Sequence, residues 1–167
     1  LGELVSGFFY GMLIPFIIFY ISYPEGTFLE YSLSLEQVSL TLNVVPFLVL
    51  FLLSLIPFSV TANIMLANNI CDLEKDILVK RHTLPYYIGK AALPLFVGLY
   101  GLSFISLILM VVFQILSPIC LVALLVAVPV WKNIQRFLQK QEKAITFDIS
   151  IKNFIFIMGA VTVVIFI

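Results

Sequence analysis

Long uncharged apolar runs, broken by short polar stretches, dominate this chain, and their lengths read as membrane helices. Leu4 to Tyr23 is one such run, long enough to cross about 30 Å of hydrocarbon, with Pro15 inside it. Leu40 to Ala67 is a second, longer than a crossing requires, and Pro46 and Pro57 predict a tilt or kink within it. Residues 91 to 131 carry no charge at all, too long a run for one crossing and about right for two, with Gln114 to Pro118 as the turn. Spans three and four are accordingly expected at 91–114 and 117–137. The apolar run from Asn153 to Ile167 is short, so a fifth span is expected to begin earlier, at 147–167, with Lys152 snorkelling to the interface.

The stretches between the runs are also patterned. Pro24 to Gln37 carries Glu25, Glu30 and Glu36 and no base, interspersed with Phe28, Tyr31 and Leu33, which reads as a loop at the water interface. Trp131 beside Lys132 is an interfacial anchor. After it, Ile134, Phe137 and Leu138 alternate with Lys132, Arg136 and Lys140 at helical spacing, suggesting an amphipathic helix on the membrane surface rather than a nucleic-acid patch. Thr61, Asn63, Asn68 and Asn69 make the end of the second span polar. Such groups are costly against lipid and are expected to face the bundle interior or a water-filled cavity. The fold class is therefore all-α: a polytopic transmembrane helical bundle of about five spans, with residues 1–167 forming one membrane-embedded unit and 68–90 a cytoplasmic loop.

Composition agrees. A chain that is 62% hydrophobic and only 11% charged is no ordinary soluble domain, in which charged residues make up about a quarter. The net charge of zero conceals an asymmetry that sets orientation. With five spans, all nine Lys and Arg residues fall on one side and the glutamate-only loop on the other, and by the positive-inside rule the basic side is the cytoplasmic face of a cell membrane. Cys71 and Cys120 fall at opposite faces, so a disulfide between them is not expected. The first run has no basic flank of the kind a signal peptide carries, and the chain opens on Leu1, which reads as a piece of something longer.

Acids, amides and bases concentrate in one stretch, Asn68 to Gly89. On a helix, Asn68, Asp72 and Asp76 stand at i, i+4 and i+8 and form a polar stripe roughly 12 Å long. Two carboxylates and a neutral amide oxygen are hard ligands that suit Mg²⁺ when waters and a substrate phosphate complete the shell. Lys75, Lys80 and Arg81 stand ready to meet the remaining phosphate charge. By composition and spacing alone, a solvated charged loop between two membrane helices explains the stretch equally well.

The stretch Asn68-Asn69-x-x-Asp72-x-Glu74-x-Asp76, followed by Arg81-x-Thr83-Leu84 and Gly89, resembles the second aspartate-rich motif of the UbiA superfamily of intramembrane prenyltransferases. It is most similar to that of the menaquinone branch, the 1,4-dihydroxy-2-naphthoate polyprenyltransferases. Gly2-Glu3 and Gly11 also resemble the start of the helix that precedes the motif in that branch. The resemblance implies Asp72 and Asp76 as catalytic carboxylates that hold Mg²⁺ with Asn68. Diphosphate-binding residues are expected at Asn69, Lys75, Lys80 and Arg81, the last three by their charge beside the strip. In two places the chain departs from the family pattern: Cys71 stands where an arginine is common, removing one diphosphate contact, and Lys80 where a glycine is common. The superfamily fold has about nine helices and two such motifs, so this chain resembles its C-terminal half. In such a half bundle Asn63, Asn68 and Asn69 are expected to lack their interior surroundings.

The activity so implied is Mg²⁺-dependent transfer of a polyprenyl group from its diphosphate to an aromatic acceptor. In the menaquinone branch that acceptor is 1,4-dihydroxy-2-naphthoate. Tyr86 and Tyr87 are candidates to stack on or hydrogen-bond the acceptor, although interfacial belt tyrosines account for them as well. His82 is a candidate base, with a solvated loop histidine as the plainer reading. The partners expected are thus a polyprenyl diphosphate, an aromatic acceptor, the lipid bilayer and a missing N-terminal half, with no nucleic acid. A non-catalytic membrane subunit or a small transporter is the alternative of another class. It predicts an intramembrane ion pair or a broken span rather than acids gathered at one end.

Overall fold

The structure, a computed structural model, describes residues 2–167. In chain order the elements are α1 (Gly2–Ser22), β1 (Leu29–Leu33), β2 (Val38–Leu42), α2 (Val44–Cys71), the short α3 (Leu73–Leu78), α4 (Leu84–Val112), α5 (Pro118–Gln139) and α6 (Asp148–Ile165). Among the described residues, α1, α2, α4, α5 and α6 are the five helices long and apolar enough to cross a membrane. This is the helical bundle that the hydropathy pattern implies, with one addition.

The addition is a β-hairpin in the glutamate-bearing stretch expected to be a loop, with Leu29 opposite Leu42 and Leu33 opposite Val38. Apolar and polar positions alternate there with the period of two that a half-exposed strand needs, and Leu40 to Leu42, expected in the second span, continue the alternation. Helix α2 consequently starts only at Val44, after Asn43, whose Nδ2 donates to the Gly26 carbonyl at 2.7 Å. Phe28 is buried between the rings of Phe16 and Phe47, with centroids 6.3 and 5.4 Å away, and fastens the hairpin to α1 and α2.

Helix α1 contains a π-helical segment, Gly7–Leu13, just before Pro15. A proline has no N–H and its ring crowds the carbonyl four residues back, so the wider turn absorbs both effects. The same segment presents Gly7 and Gly11 to α2. A Cβ on Gly11 would lie 2.3 Å from the backbone N and Cα of Phe58, and one on Gly7 would lie 2.9 Å from the Phe58 ring. The two helices therefore meet at backbone distance, as small residues allow in membranes.

Helix α2 is the central element. Helix α4 packs along it, tied by the Ser106 hydroxyl to the Leu52 carbonyl (2.5 Å) and by Asn63 Nδ2 to the Phe96 carbonyl (3.0 Å). Phe96 in turn stacks on Phe137 of α5 at 4.4 Å, and Asn133 of α5 donates to Asn153 Oδ1 of α6 at 2.8 Å. Val130, Ile134 and Phe137 are buried on the bundle, so the amphipathic stretch after Trp131 is the end of α5 and not a separate surface helix. Its apolar stripe finds helix partners, which remove more apolar area from water than a headgroup layer does. Asn63 and Asn69 are also buried inside this chain, contrary to the expectation that they would lack an interior. The helices run back and forth, so the α2–α4 and α5–α6 connections, with the basic residues, gather at the end opposite the hairpin.

The Gly11 contact generates a prediction. Gly11→Ala should destabilise the protein by about 1–3 kcal/mol, the usual cost of forcing a methyl into a packed contact. Gly98→Ala on α4, where a Cβ meets nothing within 4 Å, should be near neutral. Thermal unfolding midpoints in detergent compare the two, and equal midpoints would show that α1 and α2 are not in backbone contact.

Candidate active site

The segment 68–90, expected as a loop, is mostly helical. Helix α2 ends at Cys71 and α3 begins at Leu73, with Asp72 between them at φ −95°, ψ 3°. The spiral nevertheless passes through the junction, because Asp72 N–H donates to the Asn68 carbonyl (3.0 Å) and Asp76 N–H to the Asp72 carbonyl (2.8 Å). Asn68, Asp72 and Asp76 are thus successive turns of one strip. After Leu78 the chain closes a two-bond C-cap: Lys80 N–H donates to the Ile77 carbonyl (3.0 Å) and Arg81 N–H to the Asp76 carbonyl (2.8 Å). This cap requires a left-handed residue, and Lys80 has φ 58°. Glycine takes that conformation most readily, which is the physical reason for the glycine common in the resembled motif; here a lysine adopts it. The cap turns Arg81 back so that Nη1 lies 3.7 Å from Asp76 Oδ1.

At about 100° per residue, Asn69, Asp72 and Asp76 fall within about 60° of each other on one face. At Asn69 that face meets α1. Asn69 Nδ2 donates to Glu3 Oε1 at 2.6 Å, and Glu3, Asn69 and Asp76 are only 3%, 2% and 6% exposed. Asp72 is paired with Lys143, which comes from the loop between α5 and α6. Two oxygens on this face, Asn69 Oδ1 and Asp76 Oδ2, are buried with no hydrogen-bond donor, and the Thr83 hydroxyl is likewise buried without a partner. Asn68 is half-buried, about 100° round from Asn69.

The opposite side of the strip borders a cavity of about 760 Å³. Its walls include Cys71, Leu73, Glu74, Lys75, Lys90 and Lys143, but neither Asp72 nor Asp76. The strip therefore has a largely buried face, where Asn69 meets α1, and an open face against the α4 start and the α5–α6 loop, lined by Lys75, Lys90 and Lys143 together with Glu74 and Glu142. Lys143 belongs to both, since it lines the cavity and pairs with Asp72. Lys75, Lys80 and Arg81 are exposed at this end. Tyr86 and Tyr87 are exposed too, outside the cavity walls, with their ring centroids 5.2 Å apart and the His82 ring tilted at 34° with its centroid 4.3 Å from that of Tyr86.

Two residues at the site did not emerge from the motif as site residues. Glu3 had one signal, a lone acid opening an apolar run. Lys143 had none, because 71 positions separate it from Asp72. Among the described residues no three His, Cys, Asp or Glu side chains gather into a metal cluster. What the strip offers is two carboxylates and amide oxygens, two of the buried oxygens lacking donors. Buried acceptors without a hydrogen-bond donor fit a cation whose remaining ligands are phosphate and water.

These features define a multi-pass helical membrane protein with a half-buried acidic strip ringed by bases at one end of its bundle. The family model described as the UbiA prenyltransferase family matches residues 1–159, and the chain belongs to that family. Membership makes it an intramembrane prenyltransferase, acting between a prenyl diphosphate and an aromatic substrate in the membrane. No curated protein and no solved structure matches the chain.

Proposed function

We propose that this protein catalyses Mg²⁺-dependent transfer of a polyprenyl group to 1,4-dihydroxy-2-naphthoate, as in menaquinone biosynthesis. The observation that carries the Mg²⁺ part is the pair of buried oxygens without donors, Asn69 Oδ1 and Asp76 Oδ2, on one face with Asp72. The choice of acceptor rests on the resemblance of the Asn68–Gly89 stretch to the menaquinone branch.

Asp72 and Asp76, with Asn68, would hold Mg²⁺, and the bound ion would neutralise the diphosphate and favour its departure. Lys143, now the partner of Asp72, would be released to the phosphates as the carboxylate takes up the metal, joining Lys75, Lys80 and Arg81. These cations stabilise the leaving pyrophosphate as the allylic C–O bond breaks with its electron pair. The ring carbon of the acceptor then forms the new C–C bond, and carboxylate loss as CO₂ restores aromaticity. Tyr86 and Tyr87 are the candidate acceptor contacts, although their exposed position beside His82 also suits an interfacial belt.

Two further elements belong to this reading. The strip faces the cytoplasm of a cell membrane, which is supported by the gathering of the bases at its end of the bundle. One strip also surrounds only one side of a diphosphate, so a second acidic motif completes the site, supplied by an N-terminal half or by a second copy of the chain.

Three tests follow. In the active enzyme, Asp72→Asn and Asp76→Asn should each lower prenyl transfer by about 10²–10³, the usual cost of one electrostatic partner. Glu74→Gln, on the cavity side, should cost much less, and equal damage at unchanged protein level would place the site on the wrong face. The purified 167-residue chain, assayed with Mg²⁺ and a prenyl diphosphate, should not turn over by itself. Robust turnover by a monomer would remove the need for a second strip. Impermeant thiol labelling of intact cells should reach a cysteine at Glu30 and miss one at Lys140; the reverse pattern inverts the orientation.

A further inference from the structure

We propose that Glu3 is a positioning residue of this site, and that it makes Asn69 a cation ligand instead of a phosphate donor. The inference rests on the reading of the strip as a metal and diphosphate site. A primary amide has a donating end and an accepting end, and which end faces a ligand is set by what holds the other. A carboxylate oxygen accepts, and Asn69 Nδ2 donates to Glu3 Oε1 at 2.6 Å. That contact turns the nitrogen end of the amide to Glu3, which engages one of its two N–H groups, and leaves the oxygen end for a ligand. Its Oδ1 is left buried, without a donor, on the face it shares with Asp72 and Asp76, where Asp76 Oδ2 is in the same condition.

Asn63 Oδ1 is unsatisfied in the same way within the bundle, so what marks Asn69 is its place: its open oxygen shares a face with Asp72 and with the open Asp76 Oδ2. Leaving a buried acceptor unsatisfied costs about 1–3 kcal/mol, and turning the Asn69 amide over would set its oxygen against the Glu3 carboxylate. The pair thus fixes an acceptor toward the acidic face, which serves a divalent cation and nothing that carries a phosphate charge. Helix α1 is placed for this role, because the Gly7 and Gly11 contacts that bring it to backbone distance from α2 also set Glu3 beside Asn69. Groups of this kind behind a ligand typically change metal affinity 10–100-fold when altered.

The test measures Mn²⁺ binding by electron paramagnetic resonance, with Mg²⁺ as competitor and no prenyl substrate, on the full polypeptide in detergent. Glu3→Gln should weaken Mn²⁺ binding about 10-fold or more, because a glutamine amide can donate to Asn69 Oδ1 and consume the acceptor. Glu3→Asp, still an obligate acceptor, should retain more affinity than Glu3→Gln. Asn69→Ala removes the oxygen outright and keeps the question open if Glu3→Gln does not fold. The double variant should bind no more weakly than Asn69→Ala alone, since Glu3 acts through Asn69. Unchanged Mn²⁺ affinity in folded Glu3→Gln, or additive losses in the double variant, would overturn the proposal. Asp76→Asn distinguishes the underlying reading: loss there with none in the Glu3 variants sinks only the role of Glu3, while no loss in Asp76→Asn sinks the metal site and this inference with it.

Discussion

Within hydrocarbon a polar side chain has no water to turn to, so each one must find its partner inside the protein or face a ligand. The bundle is arranged around that constraint. Asn63 reaches the Phe96 carbonyl, Ser106 the Leu52 carbonyl and Asn133 the Asn153 amide, and each of these bonds crosses from one helix to the next. Between apolar helices in lipid, where burial against a neighbour gains little over burial in acyl chains, such bonds and close packing set the helix order. The same constraint makes the exceptions informative. Ser54 Oγ, Asn63 Oδ1, Tyr100 OH and Asn153 Nδ2 are unpartnered within the bundle, whereas Asn69 Oδ1 and Asp76 Oδ2 share one face of the strip that the family resemblance associates with metal.

The strip has two sides with different electrostatics. On the face of Asp72 and Asp76 it is acidic and largely closed to solvent; toward the α5–α6 loop it is open and lined by three lysines and two glutamates. Lys143 joins the two by neutralising Asp72. A carboxylate this buried is expensive without a counter-charge, and the lysine supplies one while remaining on a loop that can release it. Arg81 does the same for Asp76 from further away, held by the turn at Lys80. A cation pair that stands in for a metal and then turns to the phosphates is consistent with the chemistry proposed.

The amino-acid sequence by itself determined the number of membrane helices, because the length of an uncharged run is a direct measure of bilayer thickness. It also determined the strip, since Asn68, Asp72 and Asp76 keep their spacing through the junction at Asp72. The hairpin was legible in the alternation around Glu30, but Leu40, Thr41 and Leu42 carry no charge and so also read as the start of the following run. Only the tertiary structure decided what stands behind the strip. Glu3 and Lys143 lie 66 and 71 positions from their partners, and no local period links residues so far apart. They meet because Gly7 and Gly11 let α1 close on α2 and because the α5–α6 loop folds back over the end of the bundle. Those are consequences of helix packing, which a one-dimensional pattern of polar and apolar positions does not contain.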